Sequence, residues 1–490
     1  MSLGRNAIYN LVGQAAPIAV ALFTIPIYLH LVGAERYGVL AICWMLLGYF
    51  GLFDLGLTRA TAHRIAAQRD GTAAARARTF WTSAVVSLGL AVVGAALLYA
   101  GGRWYFTGPF EVSGTLRREA LEALTILALA LPGAILGGVF NGSLQGRERF
   151  LAVNAVGIVQ GCATQVVPVL IAWLAGPRLA LLLIGSVSVQ LASLVVLFAL
   201  CRRHVIAGQG FAPSRTDARA LLRYGGWISV PAALAPLMVV IDRFVIGALL
   251  NATAVATYSV PAQLAQRVSL IPYALANALF PRLSADQDAA RGIALARLST
   301  RAAMAVMSPA VMVGICGMGP FLTLWLRGAL PAEAVTVGQI AMLGWWVNGL
   351  AINPFSLLQA SGRPRLPALM HIIELPVYAA LLWGLTLRFG LTGAASAFAV
   401  RCALDCVALC VIAYRGQTDL AVYAFPGVML IAAIPLIGNL TLAPLPLAGA
   451  GALVAAVLGW SALVLPPHLR QWLLDLINYR RWTRYAQPRS

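Results

Sequence analysis

Apolar stretches alternate with short polar segments from residue 9 to residue 465 of the chain. A helix of about 20 apolar residues, rising about 1.5 Å per residue, crosses the roughly 30 Å hydrocarbon core of a bilayer. The pattern therefore predicts an all-α polytopic membrane protein with about fourteen transmembrane helices. The predicted spans are residues 9–32, 37–57, 80–101, 121–143, 151–175, 179–200, 224–250, 255–281, 302–326, 336–359, 367–388, 391–413, 422–441 and 445–465.

The composition agrees with this pattern and argues against a catalytic protein. Hydrophobic residues make up 60% of the chain and charged residues 10%, and the mean hydropathy is +0.83. The segments between spans are too short for a separate soluble catalytic domain. The sequence contains no phosphate-binding glycine loop, nucleophile elbow or zinc-ligand cluster. It therefore predicts no enzyme, no metal site and no organic cofactor, and movement must draw on an ion gradient, the membrane potential or mass action.

The distribution of charge predicts the orientation. All 35 basic residues are arginine, and the net charge is +19. In a soluble protein this charge would suggest nucleic acid, but in a membrane protein it reflects the excess of cations in cytoplasmic segments. An even number of spans with a cytoplasmic N-terminus places 25 arginines, from Arg5 to Arg489, in cytoplasmic segments and seven outside. The sequence therefore predicts two cytoplasmic termini and no nucleic-acid partner.

A weak internal repeat divides the chain into two halves. Residues 144–150, after span 4, read LQGRERF, and residues 358–366, after span 10, read LQASGRPRL. Gly146 and Gly362 lie 216 residues apart (362 − 146), and the two arginine pairs keep that separation. We therefore predict two related six-helix bundles followed by two further helices and a basic cytoplasmic tail, although two basic turns of independent origin would look the same. The predicted domains are residues 1–215, 216–415 and 416–490.

Polar side chains within the apolar spans are the candidates for function, because charge is costly in hydrocarbon. Two related bundles are typical of transporters, whose substrate site near the middle of the membrane is exposed to each side in turn. Three arginines lie within predicted spans: Arg243, Arg267 and Arg401. We predict that these arginines line a cationic cavity between spans 1–6 and spans 7–12.

The three arginines differ in the acids beside them. Arg267 has no acid within one helical turn, so it must face water, a partner helix or an anionic ligand. Arg401 and Asp405 lie one turn apart in span 12, where they can neutralise each other. Asp242 and Arg243 are adjacent in span 7 and point in different directions. We therefore expect that they do not pair and that at least one faces a cavity or another helix.

A second group of polar residues suggests how transport is coupled to a gradient. His371 and Glu374 share one face of span 11, and Asp405 lies in the antiparallel span 12. Together they form a candidate site for a coupling proton or sodium ion, since buried acids can exchange protons near neutral pH. The alternative is structural: Glu374 pairs with Arg401, and Asp405 completes the network.

The remaining candidates lie nearer the predicted membrane surfaces. Asp54, at the cytoplasmic end of span 2, and Asn10 and Gln14, in span 1, are candidate cavity residues. Interfacial solvation of Asp54 and hydrogen bonding of the two amides to other helices are the alternatives. The arginines predicted to receive the substrate on the cytoplasmic side are Arg147, Arg149, Arg363 and Arg365.

Several short motifs resemble those of a known transporter family. They are residues 10–13 (NLVG), 31–38 (LVGAERYG), 53–57 (FDLGL), 144–150 (LQGRERF), 241–247 (IDRFVIG) and 258–261 (YSVP). Their order and spacing over residues 1–415 resemble those of the polysaccharide-transporter flippases, the Wzx-type members of the MOP exporter superfamily. That superfamily also contains the lipid II flippases and the MATE drug exporters.

The resemblance implies translocation of an undecaprenyl-pyrophosphate-linked oligosaccharide from the cytoplasmic to the periplasmic leaflet of the bacterial inner membrane, in O-antigen, capsule or exopolysaccharide biosynthesis. It also implies membrane lipids, a polysaccharide polymerase and chain-length machinery as partners. The chemistry agrees, since arginines can hold a diphosphate while the lipid tail stays in hydrocarbon. The chain departs from the lipid II flippases in span 1, where Asn10 and Gln14 stand in place of a charged pair.

Two other functions fit the general architecture less well. A MATE-like exporter of drugs or other organic cations needs an acidic cavity, whereas span 1 has no acid and the deep charges include three arginines. A membrane enzyme acting on the same lipid-linked sugar needs a large outer loop, whereas the longest outer segment, at about residues 102–120, is short. The sequence therefore favours the flippase.

Overall fold

The computed structural model describes the backbone of residues 3–48, 54, 56–68, 71–285, 288–363, 365–416, 420–437 and 444–465. The side chains of residues 3–15, 48, 220, 223–237, 239, 278, 280–282, 284, 285, 289, 444 and 445 lie outside the description. This part of the chain forms fourteen α-helices and no strand. The helices are α1 (Leu3–Gly48), α2 (Leu57–Ala67), α3 (Ala73–Thr107), α4 (Gly114–Gly146), α5 (Phe150–Ala175), α6 (Leu179–Cys201), α7 (Arg215–Leu249), α8 (Ala252–Gln266), α9 (Leu270–Ala285), α10 (Ala289–Leu326), α11 (Glu333–Ala360), α12 (Arg365–Ala413), α13 (Ala424–Ile437) and α14 (Pro444–Val464).

The predicted all-α membrane architecture is confirmed. Ten helical segments among the described residues are long and apolar enough to cross a membrane. Two of them, in α1 and α12, each contain two predicted spans, because the helix turns back at a glycine in the left-handed region: Gly33 (φ 79°) and Gly390 (φ 61°). Helix α7 carries span 7, and α8 and α9 together carry span 8. Each of the fourteen predicted spans is therefore helical over most of its described residues, while α2 overlaps the predicted spans only at Leu57.

Two compact units, Met1–Ala256 and Thr257–Ser490, make up the structure. The division falls within α8, whereas the boundary predicted from the repeat falls at residue 215, just where α7 begins. The first unit therefore contains α1 to α7. The second contains α9 to α14. The division into two six-helix bundles, at residues 1–215 and 216–415, stays a prediction.

In the first unit, the two halves of α1 pack against α5 and α6 through aromatic side chains. The rings of Tyr28 and Trp44 lie 5.0 Å apart across the turn at Gly33. The hydroxyl of Tyr28 donates to the carbonyl of Gln165 at 3.3 Å, and the indole N–H of Trp44 donates to the hydroxyl of Ser186 at 3.2 Å. Each polar end thus has a partner inside an otherwise apolar interface, as buried aromatic side chains require.

Glycines on one face of α4 let α2 approach closely. Gly138, Gly142 and Gly146 are spaced four residues apart and therefore share a helix face. A Cβ atom at Gly142 would lie 2.3 Å from the backbone oxygen of Thr58, and one at Gly146 would lie 2.7 Å from that of Ala62. Small residues permit this backbone contact, so Gly146 is required for helix packing rather than for a turn.

The two repeated turns have the same backbone geometry, but in a different register from the predicted one. After α4, the N–H of Arg149 donates to the carbonyl of Leu144 at 3.0 Å, and Glu148 has φ 58°. After α11, the N–H of Arg363 donates to the carbonyl of Leu358 at 3.0 Å, and Gly362 has φ 71°. Both are Schellman helix ends. The equivalent positions are therefore 214 residues apart (358 − 144), and the predicted match of Gly362 with Gly146 is wrong.

Candidate functional site

Arg267 lies where the helix of span 8 is interrupted. The backbone forms a short 3-10 turn, Arg267–Ser269, between α8 and α9. Pro272 explains the break, because it lacks the N–H that would donate to the carbonyl of Val268, four residues earlier. The hydroxyl of Ser269 donates to the carbonyl of Gln266 at 2.7 Å and satisfies one of the groups freed by the turn.

The side chain of Arg267 is exposed, and it forms no hydrogen bond or ion pair with any residue that the structure describes. A single arginine in the middle of a span costs about 3 kcal/mol or more when it faces lipid. The guanidinium therefore needs water or an anionic ligand, since no acid of the described chain neutralises it.

Four polar residues meet across the turn of α12, in the second unit. Nη1 of Arg401 lies 3.3 Å from Oε1 of Glu374, and Nε2 of His371 lies 3.9 Å from Oδ1 of Asp405. The two halves of α12 run antiparallel from Gly390, so residues 371 and 374 face residues 405 and 401 at the same depth. The structure thus brings together the residues predicted for ion coupling. It joins Arg401 to Glu374, the pair named in the structural alternative, rather than to Asp405.

Arg401 is buried and held on several sides. Its Cζ atom lies 5.3 Å from the ring centroids of both Tyr378 and Phe398. Its Nη2 lies 3.3 Å from Sγ of Cys402. Cation–π contacts on two faces hold the guanidinium in one orientation. Arg401 therefore places a positive charge at a fixed position beside the neighbouring acids.

The charges in this cluster do not balance. One arginine faces two carboxyl groups, so the formal charge of the cluster is −1 when both carboxyl groups are ionised and His371 is neutral. Oε2 of Glu374 and Oδ1 of Asp405 are buried without a hydrogen-bond partner in the described structure. The side chains of His371 and Glu374 are 14% and 11% exposed, slightly more than those of Arg401 and Asp405, at 8% and 7%. A buried surplus charge is costly, and one proton or one monovalent cation would remove it.

The size of the cluster suits either ion. One ligand atom from each of His371, Glu374 and Asp405 can lie within 4.8 Å of the other two. A proton can be held by the imidazole or by either carboxyl group. A sodium ion would need further oxygen ligands in place of its hydration shell, and the guanidinium of Arg401 would repel it.

The expectation that Asp242 and Arg243 do not pair is wrong. Nη1 of Arg243 lies 2.8 Å from Oδ1 of Asp242, which also accepts the backbone N–H of Arg243 at 2.7 Å. Both residues are buried. Burial makes an unpaired charge costly, and the long arginine side chain can fold back to the adjacent carboxylate. The directions in which Asp242 and Arg243 leave the helix therefore did not predict their pairing, because the arginine side chain is long and flexible.

Asp54 has a local structural role. Its Oδ2 accepts the backbone N–H of Thr58 at 2.9 Å, in the first turn of α2, where helix N–H groups lack partners. The side chain is buried, with Oδ1 unpaired among the described atoms. The side chains of Asn10 and Gln14, which were also predicted to line the cavity, lie outside the described residues.

The four arginines predicted to receive the substrate lie at the two equivalent turns. Arg149, Arg363 and Arg365 are exposed, and Arg147 is half-buried with a partner of its own. Arg202, Arg203 and His204 lie beside the first of these turns and did not enter the prediction. Arg202 and Arg203 are adjacent in the sequence, but their position beside the α4–α5 turn depends on tertiary packing.

Comparisons with known proteins place the chain among transporters. A family model described as "Polysaccharide biosynthesis protein" matches residues 3–287. The "Putative O-antigen transporter" of Shigella flexneri is 30% identical over 412 residues, which cover 84% of this chain and 97% of that protein. These similarities extend over most of the membrane-spanning part of the chain.

Two solved structures have a fold similar to that of this chain. Lipid II flippase MurJ, in an inward closed conformation, has a TM-score of 0.73 at 12% identity and covers 96% of this chain and 99% of its own. A multidrug resistance MATE family transporter of the MOP superfamily, in an inward-facing conformation, has a TM-score of 0.66 at 14% identity, with coverage of 87% and 99%. At these identities the likeness shows the fold alone. The matched proteins are transporters and flippases rather than enzymes.

Proposed function

The chain belongs to the polysaccharide biosynthesis protein family, and from that premise we propose that it is a flippase for lipid-linked oligosaccharides. Its substrate is an undecaprenyl-pyrophosphate-linked repeat unit, which it moves from the cytoplasmic to the periplasmic leaflet of the bacterial inner membrane. The product enters O-antigen, capsule or exopolysaccharide synthesis. The name of the Shigella flexneri relative supports this assignment.

Arg267 is the observation that carries the proposal. It is an exposed cation at a helix break within an apolar span, with no partner among the described residues. A diphosphate is the part of the substrate that hydrocarbon rejects most strongly, and a guanidinium binds phosphate oxygens through charge-assisted hydrogen bonds. Arg267 offers such contacts midway across the membrane, while Arg147, Arg149, Arg363 and Arg365 receive the head group on the cytoplasmic side.

We further propose that the cluster of His371, Glu374, Arg401 and Asp405 couples transport to a proton gradient. The support is the surplus negative charge of the cluster and the partial exposure of His371 and Glu374. Binding and release of one proton would change the charge of the cluster during each transport cycle. A sodium ion is the competing coupling ion, and a sodium gradient imposed without a pH gradient distinguishes the two.

The assignment is tested in cells that lack the protein. We expect lipid-linked repeat units to accumulate on the cytoplasmic leaflet, and surface polysaccharide to disappear, until the protein is restored. Loss of the protein should leave resistance to organic cations such as ethidium unchanged. Normal polysaccharide together with increased sensitivity to ethidium would instead indicate a MATE-like exporter, the competing function.

The orientation of the chain gives a separate prediction. In a background without the seven native cysteines, a membrane-impermeant thiol reagent added from the periplasm should label Thr115→Cys and spare Ala290→Cys. Both positions are exposed, at the starts of α4 and α10, so accessibility depends on the side of the membrane. Both should be labelled after the membrane is permeabilised. The opposite pattern in intact cells would invert the topology.

A further inference from the structure

A short π-helical turn holds a group of cations at one end of the first unit. The turn, Arg202–Ile206, continues α6, and the backbone N–H of Ala207 donates to the carbonyl of Arg202 at 3.0 Å. Val205 and Ile206 are buried in a core cluster with Phe80 of α3 and Leu144 of α4. This anchoring fixes the polar residues of the turn beside the turn between α4 and α5.

Five basic residues therefore form what we call the basic patch: Arg147, Arg149, Arg202, Arg203 and His204. The imidazole of His204 is close enough to Arg147, Arg149 and Arg203 to interact electrostatically with all three. Arg149, Arg202 and Arg203 are exposed, and none pairs with a carboxylate of the described chain. Within these two turns, four arginines face a single acid, Glu148, which leaves a charge of +3 (4 − 1).

Apolar side chains are exposed beside the basic patch. Phe150 and Leu151, which follow Arg149 at the start of α5, are 49% and 56% exposed. The ring of Phe211 lies 5.1 Å from that of Trp81 and is itself exposed. Phe and Leu side chains exposed at a membrane surface can lie against acyl chains, and arginines extend their charge from that level into the polar layer. The surroundings thus favour a lipid over a soluble anion, which would make no use of the apolar side chains.

We propose that the basic patch binds the phosphate head group of an anionic phospholipid in the cytoplasmic leaflet. The arginines contact the phosphate, and the acyl chains lie along Phe150 and Leu151. The inner leaflet of bacteria presents anionic lipids to basic segments at the membrane surface. The basic patch shares Arg147 and Arg149 with the proposed entry site of the transported head group. The test below therefore changes only Arg202 and Arg203, and it measures lipid retention rather than transport.

The test compares two variants with the same change in charge. Arg202→Glu/Arg203→Glu alters the patch, whereas Arg103→Glu/Arg118→Glu alters two exposed arginines that lie near the end of α3 and the start of α4. Each full-length protein is placed in nanodiscs of phosphatidylcholine mixed with phosphatidylglycerol, and retained lipid is counted by native mass spectrometry. We expect the patch variant to bind phosphatidylglycerol at least about 10-fold more weakly than the native protein and the control variant.

Two further measurements make the result decisive. Thermal unfolding in phosphatidylcholine alone should be the same for both variants, which separates lipid binding from a folding defect. Soluble glycerol 1-phosphate should not displace phosphatidylglycerol from the native protein. Equal retention by the two variants would overturn the proposal, as would displacement of phosphatidylglycerol by glycerol 1-phosphate.

Discussion

Arg267→Ala should abolish export of the polysaccharide while leaving the protein in the membrane. Loss of two charge-assisted hydrogen bonds to a diphosphate would remove about 3 kcal/mol of binding, or a factor of about 100 in transport at limiting substrate. The variant also removes an unpaired charge from a span, so insertion and folding should not suffer. Surface polysaccharide is measured beside the amount of protein in purified membranes.

Conservative changes at and near Arg267 serve as controls. Arg267→Lys keeps the charge but loses the two-pronged contact with phosphate, so we expect partial transport. Gln263→Ala, one turn earlier in α8, removes a polar side chain without changing charge and should leave export close to normal. If Arg267→Ala exports as well as the native protein, the guanidinium is only solvated and the diphosphate is held elsewhere.

Glu374→Gln should remove the response of transport to an imposed pH gradient while preserving the fold. The variant leaves one cation, Arg401, with one anion, Asp405, so the cluster is neutral and has no surplus charge for a proton to cancel. The glutamine oxygen can still accept from Arg401. Transport in vesicles is measured with and without a pH gradient, and separately with a sodium gradient.

The same reasoning distinguishes coupling from a purely structural network. Asp405→Asn also leaves a neutral cluster and should likewise uncouple transport, whereas Glu374→Gln/Asp405→Asn leaves Arg401 buried without an anion. That double variant should lose about 3–5 kcal/mol of stability. Glu333→Gln, an exposed acid in the first turn of α11, is the matched control. A Glu374→Gln variant that responds to the pH gradient as the native protein does would exclude Glu374 as the coupling site.

Hydropathy alone predicted the long apolar helices, though not α2, because a span must bury its backbone hydrogen bonds and present an apolar surface over a known length. The helix break at Arg267 could also be predicted from the sequence, since Pro272 removes the hydrogen bond that would continue the helix. Span lengths therefore agree with the structure even where one helix contains two spans, as in α12, or two helices form one span, as in α8 and α9.

Side-chain partners were harder to predict, because they depend on how helices meet. Periodicity placed His371 and Glu374 on one face and Arg401 and Asp405 on another. The sequence left two partners open for Arg401, Asp405 and Glu374, and the register of the α12 hairpin joins it to Glu374.

The repeat shows a similar limit. Gly146 and Gly362 look equivalent in sequence, yet Gly146 admits the backbone of α2 and Gly362 adopts a left-handed helix end. Two glycines can thus be required for different physical reasons, and the sequence alone does not distinguish them.

The central claim is most directly tested by transport of a lipid-linked oligosaccharide in reconstituted vesicles. The purified protein is incorporated into liposomes that contain undecaprenyl-pyrophosphate-linked oligosaccharide, and the fraction of sugar accessible to an added glycosidase is followed over time. We expect the native protein to make the inner-leaflet sugar accessible far faster than protein-free liposomes do, and Arg267→Ala to match the protein-free rate. If the native protein leaves the sugar inaccessible while it transports an organic cation such as ethidium, the flippase assignment is contradicted.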